Sequence, residues 1–148
     1  IVAPKALDNG PDKVRYFIAG EKTWAMNNTL GICNFVVAPL FALSYTKLCE
    51  VVEAVTGWST SLHELMLVAE RSMVLARMFN VREGMDSKDD KLFRRMFEPL
   101  SDGPLKGTTI DPKEFQNMLD MYYAMMNWNE NGIPREGALY NLSLEWLS

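Results

Sequence analysis

Histidine occurs once in this sequence and cysteine twice, and the two scarcities exclude a good deal. His63 has no second imidazole with which to share a metal and no triad partner near it, so it is expected on the surface. Cys33 and Cys49 are too few for a disulfide framework and fit a reducing compartment, which makes the cytoplasm the expected location. No apolar run reaches the roughly 20 residues that a membrane helix needs. The formal charge is −4, so no basic field recruits nucleic acid or an anionic membrane. Rossmann and P-loop glycine signatures are missing too, as are internal repeats and low-complexity segments.

What is there suits one globular domain. The 148 residues are 48% hydrophobic and 23% charged. A chain of that length buries roughly two-thirds of its unfolded surface. Ten methionines and sixteen aromatic residues point to an interior that is large or partly covered by something else. The chain starts at Ile1 with no signal-peptide pattern and an extended lead containing Pro4, Gly10 and Pro11. An excised piece of a longer polypeptide is expected to look like this, and so is a processed amino terminus.

Residues 1–20 are expected to form an arm or linker, with 13–19 as a short apolar run of strand or coil. A helical domain is expected over 21–148. Its first helix, 21–30, is weak because Thr23, Asn27, Asn28 and Thr29 are poor helix formers. Residues 36–42 are apolar but interrupted by Pro39, which predicts an irregular buried crossing. Ser44 is placed to cap a helix over 45–56, with Leu48, Val51, Val52 and Val55 at helical spacing and Gly57 as its stop. Cys49 lies beside that stripe and reads as a small core hydrophobe.

Ser61-x-x-Glu64 is a capping box that opens a helix to about residue 81. Most of the few polar residues in this helix, at 63, 64, 70, 71 and 77, fall on one narrow strip. A helix apolar nearly all round is expected to be buried nearly all round. Residues 82–91 read as a solvated charged loop without the spacing or terminal glutamate of an EF-hand. The loop leads into a helix over 91–97, whose Arg94 and Arg95 could pair with it or with a neighbouring domain. A turn-rich connection over 99–107 follows. Asp111-Pro112-x-Glu114 then starts a helix with Phe115, Met118, Leu119, Tyr122 and Met126 on its core face. Tyr122 and Tyr123 are expected to be packing, with cavity lining as the alternative. After a turn at 128–132, a last short helix is expected from Pro134 to near Leu142, and then an apolar tail that docks. The sum is an all-α, multihelical fold of five or six helices.

One stretch organises the rest: Asn28-Thr29-Leu30-Gly31-Ile32-Cys33-Asn34-Phe35. Gly31 lets the chain leave a helix through a left-handed turn. Two residues later comes a thiol between Ile32 and Phe35, where backbone N–H groups and apolar cover can serve a soft metal centre. On residue type alone, a cysteine among apolar neighbours is more often buried filler.

Further segments recur around this one in a fixed order: Val55-Thr56-Gly57-Trp58, Glu70-Arg71, Phe79-Asn80-Val81-Arg82-Glu83-Gly84, Asp89-Asp90-Lys91-Leu92, and Met121-Tyr122-Tyr123 through Asn127-Trp128 to Gly132-Ile133-Pro134. From about Glu21 to the end, this series resembles the carboxy-terminal part of the aldehyde ferredoxin oxidoreductases. These are tungsten- or molybdenum-pterin enzymes. The resemblance implies a helical domain that helps enclose a bis-pterin metal cofactor beside a [4Fe-4S] cluster. It further implies oxidation of aldehydes to acids, with ferredoxin accepting the electrons. Three cluster cysteines of the family come from an upstream Cys-x2-Cys-x3-Cys run, and the fourth from Asp-x-x-Gly-Leu-Cys. That motif stands here as Asn28-x-x-Gly31-Ile32-Cys33. By this match Cys33 is the fourth thiolate, and the Asn28 and Ile32 positions touch a pterin. No catalytic residue is implied within this segment.

Two departures accompany the match. Asn28 replaces the aspartate, so a carboxylate able to accept two N–H bonds becomes an amide with one acceptor and one donor. Phe93 stands where the family usually has proline. The chain also lacks the upstream cysteines, the second pterin motif and the sheet domain, so this segment alone is not expected to catalyse. The remaining domains of the parent chain are expected as partners. A helical scaffold that lost the metal site is the reading from a different class, and a reductase subunit for aromatic acyl thioesters is a third. A Cys-x2-Cys-x3-Cys run upstream of Ile1 would favour catalysis, and an immediate start codon the scaffold.

Overall fold

The computed structural model describes residues 4–5, 7–37 and 42–147. Its helices in chain order are α1 (Pro11–Thr29), α2 (Asn34–Val37), α3 (Tyr45–Thr56), α4 (Leu62–Arg82), α5 (Pro112–Met125) and α6 (Glu136–Asn141). Short 3₁₀ turns span Arg94–Phe97 and Glu145–Leu147. Among the described residues, the one β contact is an isolated bridge between Trp128 and Pro134. The all-α expectation holds.

Local signals fix the helix ends where they are strongest. The Ser61 hydroxyl accepts from the Glu64 N–H, and the Glu64 carboxylate accepts from the Ser61 N–H at 2.8 Å, which completes the capping box of α4. Ser44 caps α3, and Gly57 closes it with φ +75°, a conformation that costs any other residue strain. Asp111 caps α5 by accepting from the N–H groups of Lys113 at 2.7 Å and Glu114 at 3.3 Å. Asp111→Ala should therefore cost about 1 kcal/mol of stability. Urea unfolding of the two proteins measures it directly.

The amino-terminal expectation needs correction. Residues 11–20 are not an extended arm, and 13–19 are neither strand nor coil: they form the first half of the 19-residue helix α1. Pro11 starts the helix where a missing N–H does no harm. Burial of Val14 and Met26, with the packing of Ile18 on the Tyr123 cluster, outweighs the poor propensities of the second half. Thr23 and Thr29 satisfy their hydroxyls on the carbonyls of Ala19 and Ala25.

Among the described residues three clusters form the core, and α4 contributes to each, to the third through Met73. Met26, Leu48, Leu65 and Ala69 join α1, α3 and α4, with Cys49 partly buried against them as expected. Val74 packs on Leu139, Leu142 and Leu144, so the tail does dock. Tyr123, Met126 and Trp128 form the third. The α4 polar strip faces protein at several points: Lys22 pairs with Glu70 at 2.6 Å, Arg71 donates to the Leu142 carbonyl at 2.6 Å, and Arg77 is buried. Leu67, Val68 and Phe79, by contrast, stand exposed on α4, as do Val51 and Val55 on α3. The apolar stripes are wider than the core available to cover them.

Smaller corrections follow from the same packing. Residues 34–37 form one helical turn with Phe35 and Val36 exposed, not a buried crossing, and 38–41 lie outside the described residues. The helix expected over 91–97 shrinks to a 3₁₀ turn at Arg94–Phe97, because Asp90 is drawn inward and the following residues run extended. Arg94 pairs with Glu98 rather than with the acidic loop. The last helix starts at Glu136 rather than Pro134, whose backbone is held by the bridge to Trp128.

Candidate functional site

At the carboxy end of α1, Leu30 is still helical and Gly31 turns left-handed at φ +68°. The Ile32 N–H returns to the Asn27 carbonyl at 2.8 Å, and the Gly31 N–H to that of Asn28 at 3.2 Å. Both bonds satisfy carbonyls that a helix end would otherwise leave open. The turn packs Ile32 on the Met26 cluster and leaves Cys33 exposed. Asn28 is exposed as well, on the rim of a shallow hollow of about 390 Å³ shared with Ser72 and Met73. The turn thus brings Asn28, Ile32 and Cys33 into one short segment, with two of the three open to solvent.

Three amides run along this turn. Asn27 donates to Asn34 at 2.9 Å, and Asn34 donates to Asn28 at 3.2 Å. Asn27 is buried, and its Oδ1 finds no partner among the described residues. Such an orphan acceptor is costly unless something supplies a donor. Among the described residues no three His, Cys, Asp or Glu side chains gather as a metal site. The exposed Cys33 thiol is chemically suited to supply one ligand to an iron–sulfur cluster.

A second polar centre, which the sequence reading missed, lies on α4. Arg77 forms a bidentate pair with Asp90, at 2.9 and 2.6 Å, and donates to the Gly132 carbonyl at 2.7 Å. Its guanidinium stacks 5.2 Å from the centre of the Trp128 ring. The Tyr123 hydroxyl also donates to Asp90. Burial by itself would raise the Asp90 carboxyl, but Arg77 and Tyr123 hold it below its ordinary value. The signal was present: an arginine inside Val74-Leu75-Ala76-Arg77-Met78-Phe79 must find a partner if the helix is buried.

Near this centre, between α1, α4 and α5, opens a cavity of about 880 Å³. Tyr122 and Tyr123 line it and also pack edge-to-face with each other, so both expected uses are realised. The Tyr122 hydroxyl donates to Glu21 at 2.8 Å. Burial raises the Glu21 carboxyl above its ordinary value of 4.5, more than the Tyr122 bond and Lys22 lower it. A carboxyl raised on folding favours the folded state at low pH, and that contribution is lost as pH rises from 4.5 through the folded value. Glu21→Gln should therefore gain stability relative to the parent protein above pH 4.5 and lose that advantage below it. Thermal melts across that range check the sign.

Comparison with known proteins places this geometry in context. Residues 2–144 match the family described as aldehyde ferredoxin oxidoreductase, domains 2 and 3. The chain belongs to that family. It is 34% identical over 132 residues to the tungsten-containing aldehyde ferredoxin oxidoreductase of Pyrococcus furiosus, covering 87% of this chain and 21% of the relative. With the Pyrococcus horikoshii protein of the same description, identity is 34% over 140 residues, covering 93% of this chain and 22% of that one. An aliphatic sulfonate oxidoreductase, WOR-like subunit, of P. furiosus is 30% identical over 131 residues, covering 84% and 20%. The chain thus spans about a fifth of the length of these relatives. A solved structure described as the active-site complex BamBC of benzoyl coenzyme A reductase, with 1,5-dienoyl-CoA, shares the fold. Its TM-score is 0.71 at 22% identity, over 99% of this chain and 22% of that one.

Proposed function

We propose that this chain is the carboxy-terminal part of an oxidoreductase that oxidises aldehydes to acids at a tungsten or molybdenum bis-pterin site, in the cytoplasm. In this reading Cys33 is the fourth thiolate of a [4Fe-4S] cluster, and Asn28 and Ile32 lie against a pterin. When bound, the pterin metal supplies the oxidation and the cluster the electron relay to ferredoxin. The observation that carries the reading is the Gly31 turn, which leaves the Cys33 thiol exposed inside a family match over residues 2–144.

The chain's own residues hold and cover. Ile32, packed on the Met26 cluster, anchors the turn so that the thiol faces outward. Asn34 holds the Asn28 amide, so one of its two polar ends is already engaged before a pterin arrives. Phe35 and Val36, exposed in the turn that follows Cys33, are available to keep water from the sulfur. Exposed Leu67, Val68 and Phe79 fit contact with the remaining domains of a parent chain.

The test is anaerobic purification of the full-length protein from cells supplied with tungstate or molybdate. Metal and iron analysis and aldehyde-dependent reduction of ferredoxin then follow. Bound metal, iron and activity together support the reading. A folded protein free of both metals supports instead a helical interaction domain that lost the site, the reading favoured by Asn28 in place of the family aspartate.

A further inference from the structure

The function proposed above assigns no role to the cavity between α1, α4 and α5, which shares Met73 and Ala76 with the hollow beside Asn28. Glu21 precedes the end of α1 by eight residues, which is about 12 Å along a helix. Its volume, about 880 Å³, lies in the range of small-molecule sites.

Its lining states what it can hold. Lys13, Arg77 and Lys91 line it together with Glu21, Asp89 and Asp90, three charges of each sign, so the walls offer no net charge to an ion. Arg77 and Asp90 already neutralise one another. Five aromatic residues contribute: Phe17, Phe115, Tyr122, Tyr123 and Trp128. Tyr122 already meets Phe17 edge-on at 5.9 Å and Trp128 at 5.6 Å, so the rings are preset in the geometry that a further ring prefers. Met73, Met96 and Met118 add walls that adapt to shape. Glu21, bonded to the Tyr122 hydroxyl, provides a polar point among them.

We propose that this cavity binds a neutral aromatic molecule bearing one hydroxyl or carbonyl group, its ring among the aromatic walls and its polar group on the Glu21–Tyr122 pair. Methionine methyl signals report on it directly. Three of the ten methionines in these 148 residues line the cavity, and methionines away from it serve as internal controls.

Titration of the methyl-labelled full-length protein with 2-naphthol should shift Met73, Met96 and Met118 saturably, with Kd about 1 mM or tighter, and leave methionines away from the cavity in place. Ala76→Phe, at an exposed lining position, should weaken binding at least tenfold while the spectrum remains that of a folded protein. Glu21→Leu should weaken it about tenfold, the size of one lost hydrogen bond, and Glu21→Gln should restore it. Naphthoate and naphthylmethylammonium should bind at least tenfold more weakly than 2-naphthol. Absence of any shift, shifts spread over methionines away from the cavity, or equal binding of either charged analogue would overturn the proposal.

Discussion

Cys33→Ala in the full-length protein is expected to remove one cluster ligand and abolish electron transfer to ferredoxin. Cys49→Ala is expected to leave both intact. The contrast follows from where the fold puts the two thiols. Cys33 is exposed on the Gly31 turn, whereas Cys49 is partly buried against Met26, Leu48, Leu65 and Ala69. Truncating Cys49 leaves a small cavity and costs roughly 1–2 kcal/mol. Cys33 is exposed in this chain, so a loss of iron with an unchanged thermal melt reports ligation rather than unfolding. Iron content and visible absorption of each variant, with a thermal melt beside them, separate the two effects. Equal loss from both variants, or no loss from Cys33→Ala, would end the assignment of Cys33 to the cluster.

The largest loss of stability is expected at Arg77. Arg77→Ala leaves Asp90 partly buried without its cation, the Gly132 carbonyl without its donor, and the face of Trp128 without its guanidinium. Breaking one partner of a buried pair costs about 3–5 kcal/mol, and the partial exposure of Asp90 places this case near the lower end. Gly132→Ala should fail at the same centre from the other side. An added Cβ would collide with Arg77 Nη2 and lie 3.0 Å from the Tyr123 ring, on a backbone at φ +70°. Tyr123→Phe should be milder, because it removes one hydrogen bond and keeps the ring.

Acid provides a further check on the same pair. The Asp90 carboxyl lies below its ordinary 3.8 in the folded protein, so its contribution is present above that pH and is lost as pH falls through the folded value. The gap in stability between the parent protein and Asp90→Asn should therefore narrow below pH 3.8. An unchanged gap at pH 3 would mean that the Arg77 pair does not depend on the charge. Glu21 acts with the opposite sign and loses its contribution as pH rises.

Short-range chemistry was legible in the chain. The Ser61–Glu64 box, the Ser44 and Asp111 caps, and the glycines at 31 and 57 mark helix ends through bonds spanning only a few residues, and the structure keeps them all. The Cys33 segment was legible for the same reason, since its turn, its thiol and its neighbours are contiguous. Propensity misled where contacts across the fold outweighed it. Residues 13–19 read as strand or coil, and burial of Val14 with the packing of Ile18 on the Tyr123 cluster makes them helix. The joining of Arg77, Asp90, Tyr123, Trp128 and Gly132 was out of reach. Those residues are separated by up to 55 positions, and burial of the arginine depends on how three segments dock. The cavity beside them has the same origin, because its volume is what remains between helices whose spacing no local sequence pattern specifies.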